Sequence, residues 1–510
     1  MKKRIFRNRK TRYAGISTVL TVLVIAVVVL TNTVFGSLAN RYEWVSSMNA
    51  KANYDVTTVC YDLLDSAFAN ADADQRSEPV QLIFCDTEEL WTADETQNYL
   101  YHTAMSIADR YERVTISFYD IRIHPNAVRQ YAVDPATGEE TTIRYDDVIV
   151  VCGDYYRIYH LRDFFSFTDT ARTEVWAYNG ERKLAAGILR ALNRTPQTVC
   201  LTANHGEVFY DDELAYLLDD AGYNVVSNFN LADEEIPAEC SLIITYNPNS
   251  DLDFGEGIKE NEKLDAFLAK TGNNYLVFLA NGTPRLTNLE AYLRQWGVET
   301  SYYNDPSTGK SYRYTVQDSS NSLTSDGYTI YGKLSERANT AALFADLEKS
   351  VVFQNATALT HASDFVALGD GSYQKGERIV YSVYDASDSS ALWANGSVRG
   401  GNTAMLMTLS EQQNADGGVS RVGVVASSSL VAREFAQSAV FENPDVMFRL
   451  LDIMGQEYTP EGIKIKPFGT MQISTITTAQ MLRWTICLAV IPASLVAVAG
   501  IVVMIKRRRA

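Results

Sequence analysis

Two long uncharged apolar runs, one near each end, constrain this chain more than anything else in its sequence. Residues 14–38 read AGISTVLTVLVIAVVVLTNTVFGSL and residues 484–505 read WTICLAVIPASLVAVAGIVVMI. Each is longer than the roughly 20 residues that a helix needs to cross the hydrocarbon core of a bilayer. A buried helix of a globular domain rarely runs so far without a polar face. The sequence therefore predicts transmembrane helices over 13–38 and 484–505. Lys2, Lys3, Arg4, Arg7, Arg9, Lys10 and Arg12 precede the first run, and Lys506, Arg507, Arg508 and Arg509 follow the second. Basic flanks stay in the cytoplasm. Both ends are then expected inside a cell membrane, with everything between the spans outside. Ser37-Leu38-Ala39 matches the small-x-small site of a cleaved signal peptide. The run before it is longer than an ordinary signal h-region of about 7–15 residues. An uncleaved anchor is expected, with cleavage after Ala39 as the alternative.

The charge is divided along the same lines. Eleven of the 45 basic residues sit in the two flanks, which leaves 34 against all 62 acids between them, a net charge of −28. Nucleic-acid binding needs a basic face, so the acidic middle excludes that partner. A 510-residue chain with 46% hydrophobic and 21% charged residues has the composition of folded domains, two or three at this length. Of the six cysteines, Cys487 lies in the second span. Cys60, Cys85, Cys152, Cys200 and Cys240 are scattered, odd in number and without C-x-x-C. This pattern argues against a disulfide framework, and Cys85, Cys152 and Cys200, in apolar strand-like runs, read as buried thiols.

Between the spans the pattern is α/β. After a lead-in over 39–78, the strings VQLIF (80–84), VTISF (114–118) and DVIVVC (147–152) read as strands, with an amphipathic helix over 88–112. This predicts a small domain over 79–192, thioredoxin-like in outline but without the C-x-x-C of redox work. A second domain is predicted over 193–455. TVCLT (198–202), SLIIT (241–245) and YLVFL (275–279) read as strands. Helices over 211–221, 260–270 and 286–296 alternate with them, the arrangement of a parallel sheet covered on both faces. Residues 301–345 break the rhythm as a polar, Tyr- and Ser-rich insertion. Later strands are expected at 379–383, 404–408 and 422–425, and a closing helix at 441–454. A polar stalk over 456–483 leads to the second span.

Few residues carry recognisable chemistry. Leu201-Thr202-Ala203-Asn204-His205-Gly206-Glu207 falls at the carboxyl end of a predicted parallel strand, the edge where open α/β sheets bind ligands. His205 and Glu207 form a candidate acid/base or ligand pair. The bland alternative is a tight turn at Gly206 held by their hydrogen bonds. Asn247, Asn249, Asp251 and Asp253 follow the next strand and are placed to line the same edge, as a binding loop or simply a solvated one. They lack the closing Glu of a calcium loop. His102, His124, His160 and His361 are dispersed. No G-x-S-x-G elbow, P-loop or deaminase signature occurs. No catalytic residue, metal ligand or cofactor site is assigned. His205, Glu207, Asn247, Asn249 and Asp251 are the candidates for binding a ligand or partner.

The order of these strings is similar to a known family. LTANHGE, then Ala221-Gly222-Tyr223, then Ile236-Pro237 before SLIITYNPNSDL, resembles the GldG-type auxiliary subunit of ABC transport systems. Residues 262–268, 288–298 and 422–450, and the Arg-rich end after the second span, continue the resemblance over most of 80–510. Asn204 stands where the family commonly has Gly, and 301–345 does not align. The resemblance implies a glutamine-amidotransferase-like fold without its catalytic cysteine, and association with a separate ABC permease and ATPase. It implies a non-enzymatic, membrane-anchored accessory subunit of an ABC-type transport or gliding-motility-like complex. Two other readings stand beside it: an extracytoplasmic hydrolase using His205 and Glu207, and an envelope scaffold without a transporter. Pro492 is expected to kink the second span. Ala493, Ala497, Ala499 and Gly500 would allow a neighbouring helix to approach closely.

Overall fold

The computed structural model describes residues 54–468, apart from 74–77, 134–137, 139, 169–170, 194–195, 208–212, 254, 256, 258, 280–284, 337–342, 345–346, 348–349, 401–403 and 457–458. Among the described residues no helix is long and apolar enough to cross a membrane. The two expected spans, with Pro492 and the small residues of the second, lie outside the described residues.

The architecture is mixed α/β. It begins with helix α1 (Thr58–Ala73), strand β1 (Val80–Phe84), helices α2 (Glu88–Ala93) and α3 (Glu95–Arg110) and strand β2 (Val114–Phe118). The single helix expected over 88–112 is two, because Asp94 breaks it. Its backbone is extended and its carboxylate accepts from the Thr96 and Gln97 N–H groups, which caps α3 and ends α2. Strands β3 (Asp147–Cys152) and β4 (Tyr155–His160) complete a four-stranded sheet of order β2-β1-β3-β4. β1 and β2 are parallel, while β3 is antiparallel to both β1 and β4. The hairpin β5 (Phe165–Phe167) and β6 (Val175–Tyr178) follows, then helix α4 (Gly180–Leu192).

The expected lead-in proves to be part of this body. Cys60, Leu64, Ala67, Phe68 and Ala71 of α1 are buried in the same core as Leu82, Trp91, Val150, Leu184 and Ile188. The expected stalk is likewise not free from its start. Ile463 is buried in that core, and Lys466–Pro467 pairs with β6 as a third strand.

The second body starts with β7 (Thr198–Thr202), α5 (Glu213–Asp220), β8 (Asn224–Phe229), β9 (Cys240–Tyr246), α6 (Glu260–Leu268), β10 (Asn274–Phe278) and α7 (Thr287–Gln295). Its sheet has twelve strands. β8, β7, β9, β10 and β13 (Val419–Val425) lie side by side and parallel. In chain order they run 2-1-3-4-5, a doubly wound order. Right-handed crossovers then put the first helix on one face and the later ones on the other. The parallel sheet expected from the sequence is only this half. Beyond β13 the sheet continues antiparallel through β12 (Met405–Gln413) and β11 (Arg378–Asp385).

Central strands β7 and β10 are buried at every residue, as strands covered on both faces must be. Edge strand β8 is half-exposed over most of its length. The described residues of 301–345 include short strands between 302 and 334, among them the hairpin Tyr302–Asn304 with Ser311–Arg313. The last helix, α8 (Asn443–Ile453), packs into the large core through Val446, Met447, Phe448, Leu450 and Leu451. Gly297, just past α7, has φ +90°. A Cβ there would stand 2.5 Å from Val380 Cγ1, so both conformation and space call for glycine.

Candidate functional site

The order 2-1-3-4-5 reverses between β7 and β9, and loops leaving the carboxyl ends of two such strands diverge to form a crevice. The loop after β7 carries Asn204, His205 and Glu207, and the loop after β9 carries Asn247–Asp253. The fold thus brings all five sequence-predicted candidates, His205, Glu207, Asn247, Asn249 and Asp251, to one end of the sheet.

His205 is 2% exposed. Its Nδ1 lies 3.2 Å from Glu207 Oε1 and its Nε2 lies 2.8 Å from Glu260 Oε1. Burial opposes the imidazolium charge, but the hydrogen bonds to Glu207 and Glu260 outweigh it and raise the histidine to about 9. The same burial opposes charge on both glutamates. Bonds from His205, with Thr202 on Glu207 and Asn204 on Glu260, hold their carboxyls below the usual range. The charged form is a carboxylate–imidazolium–carboxylate sandwich.

Its outer lone pairs are served by the protein as well. Glu207 Oε2 accepts from the His205 N–H at 2.7 Å, and Glu207 Oε1 from the Thr202 hydroxyl at 2.6 Å. Glu260 Oε1 accepts from Asn204 Nδ2 at 2.9 Å, and its Oε2 from the Asp253 N–H at 2.7 Å. Beneath Glu207, the Thr202 and Thr245 hydroxyls are 3.1 Å apart, and the Tyr275 hydroxyl donates to Thr245 at 3.0 Å. A hydroxyl has one proton. Thr202 gives its proton to Glu207, so Thr245 donates to Thr202. A polar chain thereby runs from β10 through β9 and β7 to α6.

The acids of the second loop are also occupied. Asp251 accepts from the Asn288 N–H at 2.8 Å and the Leu289 N–H at 3.0 Å. It caps α7 from a distant part of the chain. Asp253 accepts from the Glu260 N–H at 2.5 Å and the Asn261 N–H at 3.2 Å, and caps α6. Free helix N–H groups need such acceptors, and here the loop supplies them. Among the described residues no group of His, Cys, Asp and Glu is placed to hold a metal ion.

Asn249 joins the two loops. Its N–H donates to His205 O at 2.8 Å and its side chain to Gly206 O at 2.9 Å. Asn247 is different. It is 2% exposed, its φ is +51°, and neither its amide nitrogen nor its amide oxygen has a hydrogen-bond partner. Asparagine is tolerated in that backbone region, which accounts for the conformation but not for the unserved amide.

Sequence reasoning missed Glu260, Thr202 and Thr245. Glu260 reads as an ordinary first-turn acid of α6, and only the fold shows that α6 starts against the β7 loop. The five described cysteines are buried thiols without disulfides. Cys487 lies outside the described residues. The structure places His160 on Asp147 at 2.6 Å in the small body, and His361 stacked on Tyr373 at 3.8 Å, both away from His205 in the fold.

No family model matches the chain, and no curated protein matches it. Among solved structures, the mmIFT52 N-terminal domain aligns at 15% identity and a TM-score of 0.35, over 51% of this chain and 97% of that one. A likeness of that size fixes neither a fold family nor an activity.

Proposed function

We propose that the chain is a non-enzymatic, membrane-anchored accessory subunit of an ABC-type transport or gliding-motility-like complex. It acts by extracytoplasmic binding beside a permease and its ATPase. The apolar runs with basic flanks support the two-pass anchoring, with both ends cytoplasmic. The β2-β1-β3-β4 sheet supports a thioredoxin-like outline for the small body. The 2-1-3-4-5 parallel half supports an amidotransferase-like outline for the large one.

The observation that carries the reading is the use made of His205. A hydrolase that used His205 as its base would need one imidazole nitrogen open to substrate. Here both nitrogens face carboxylates and the ring is shut away from solvent. Among the described residues of the two loops, Ala203, Gly206, Asn249 and Ser250 are exposed, a surface for contact.

Affinity capture of the full chain in mild detergent tests the proposal. Co-purification of an ATPase and a permease in stoichiometric amounts is expected. Recovery of neither, under conditions that keep other transport complexes intact, would sink it. The change His205→Gln, which removes the imidazolium charge but keeps a side-chain donor for the carboxylates, separates out the hydrolase reading. A folded variant that retains the partners and the phenotype leaves no role for the imidazole as a base.

A further inference from the structure

A cavity lies away from the switch point, between the two bodies. It is a cleft of about 470 Å³ with its open mouth included, lined from the small body by Asp163, β5, Arg172, Asn179 and the first turn of α4, and from the large one by α5, Arg433 and Gln437. Phe165, Phe167 and Tyr216 form apolar walls. Around them the polar groups are unusually poorly served.

Ser166 is 1% exposed and its hydroxyl has no hydrogen-bond partner. The Asn179 side-chain oxygen, in a residue 6% exposed, has none either. Gln437 donates its amide nitrogen to Glu213 Oε2 at 2.6 Å. A carboxylate only accepts, so that bond fixes the orientation of the amide, and the Gln437 oxygen is left buried without a partner. Arg182 Nε and Asp220 Oδ2 stand 3.4 Å apart as an ion pair, yet neither atom makes a hydrogen bond. Buried polar atoms are nearly always satisfied, and leaving one unserved costs about 1–3 kcal/mol. Such groups concentrated on one cleft mark a place that something polar fills.

The donor and acceptor balance selects the chemistry. Asn179 and Gln437 offer acceptors, and Ser166 offers a hydroxyl that does either. An anion would leave those acceptors unserved and would face Asp163, Glu213 and Asp220, and of the cations that also line the cleft Arg172 is paired with Asp163 and Lys183 with Asp220. A cation would meet Arg172, Arg182, Lys183 and Arg433. A neutral ligand whose hydroxyls both give and take protons serves every group at once, and its C–H faces suit the aromatic walls.

We infer that the cleft between the bodies, at Ser166, Asn179, Gln437 and Tyr216, binds a neutral polyhydroxylated molecule with the chemistry of one sugar unit. The open mouth lets a longer chain continue into solvent. This site does not depend on the accessory-subunit reading, because it uses none of the switch-point residues.

Saturation-transfer NMR on the full chain in lipid nanodiscs, free of glycoside detergents, tests it with D-glucose as probe. Transfer to the glucose ring protons is expected, unchanged by equimolar sodium phosphate. It should fall by about fivefold or more in Ser166→Ala and in Tyr216→Ala. Ser166→Ala removes a single hydroxyl and Tyr216 is half-exposed, so thermal midpoints should match the parent, and either variant alone decides the matter. Absence of transfer, transfer unaltered in either variant, or displacement by phosphate would each overturn the assignment, the last by making the cleft an anion site.

Discussion

Protonation of His205 is coupled to folding because its partners exist only in the folded chain. Its ordinary value is 6.5 and its folded value is about 9. A raised value favours the folded state fully below 6.5, and the benefit is lost as pH rises through 9. A difference of this size corresponds to about 3 kcal/mol. The lowered Glu207 and Glu260 work in the opposite sense. Their contribution is present above the ordinary carboxyl value and disappears as pH falls through the folded one. The sandwich should therefore contribute most between the carboxyl range and pH 6.5. The denaturation midpoint of the full chain is expected to fall steadily from pH 7 to 9, and His205→Gln should flatten that slope. A slope that survives His205→Gln would show that another group carries it. His205→Ala is the wrong probe of catalysis. It leaves two buried carboxylates facing each other, a loss of about 3–5 kcal/mol of the kind seen when one member of a buried pair is removed.

Among the elements, helices α6 and α7 depend on one loop for their first turns. Asp251→Ala should weaken the fold by about 1–2 kcal/mol through the uncapped α7, read as a lower urea midpoint at unchanged slope. Asn249→Ala, which removes only a side-chain bond to Gly206 O, should cost less than half of that; equal losses would argue against capping as the role of Asp251. The loop was visible in the sequence as a polar string after an apolar strand, but its use was not, because the N–H groups it caps lie up to 38 residues away. The same distinction governs the rest of the fold. VQLIF, DVIVVC, SLIIT and YLVFL were legible as strands because burial on both faces leaves a continuous apolar run. NVVSNF of β8 and YYRIYH of β4 were not, since half-exposed strands mix polar residues into the pattern. Helix α4 escaped for another reason. Its first turn carries the charged residues Glu181, Arg182 and Lys183, yet each is at most 5% exposed. Their partners come from α5, from the segment before α1 and from the expected stalk, none of which the local sequence reveals.

Across the whole described body, Glu181 joins its beginning to its end. Its Oε1 accepts from the Thr57 N–H at 2.7 Å and the Thr57 hydroxyl at 2.6 Å, and Lys466 Nζ stands 2.6 Å from its Oε2. Lys466 also donates to Asp55 O, and Phe468 packs on Tyr99 and Phe165. Glu181→Ala should therefore loosen both segments together. Amide exchange is expected to speed up by about tenfold or more over 54–60 and 463–468 while 240–246 stays protected. Loosening of one segment alone would show that they are held separately.

A chain that enters and leaves at the same point is, topologically, a closed loop. The body is built like an insertion, and its two ends could be joined by a short Gly/Ser bridge and new ends opened elsewhere with little penalty in loop closure. The same geometry sets its mechanics. A pull that separates the two flanking segments is borne first by the contacts at Glu181 and by the pairing of Lys466–Pro467 with β6, and the large sheet carries load only after these have parted.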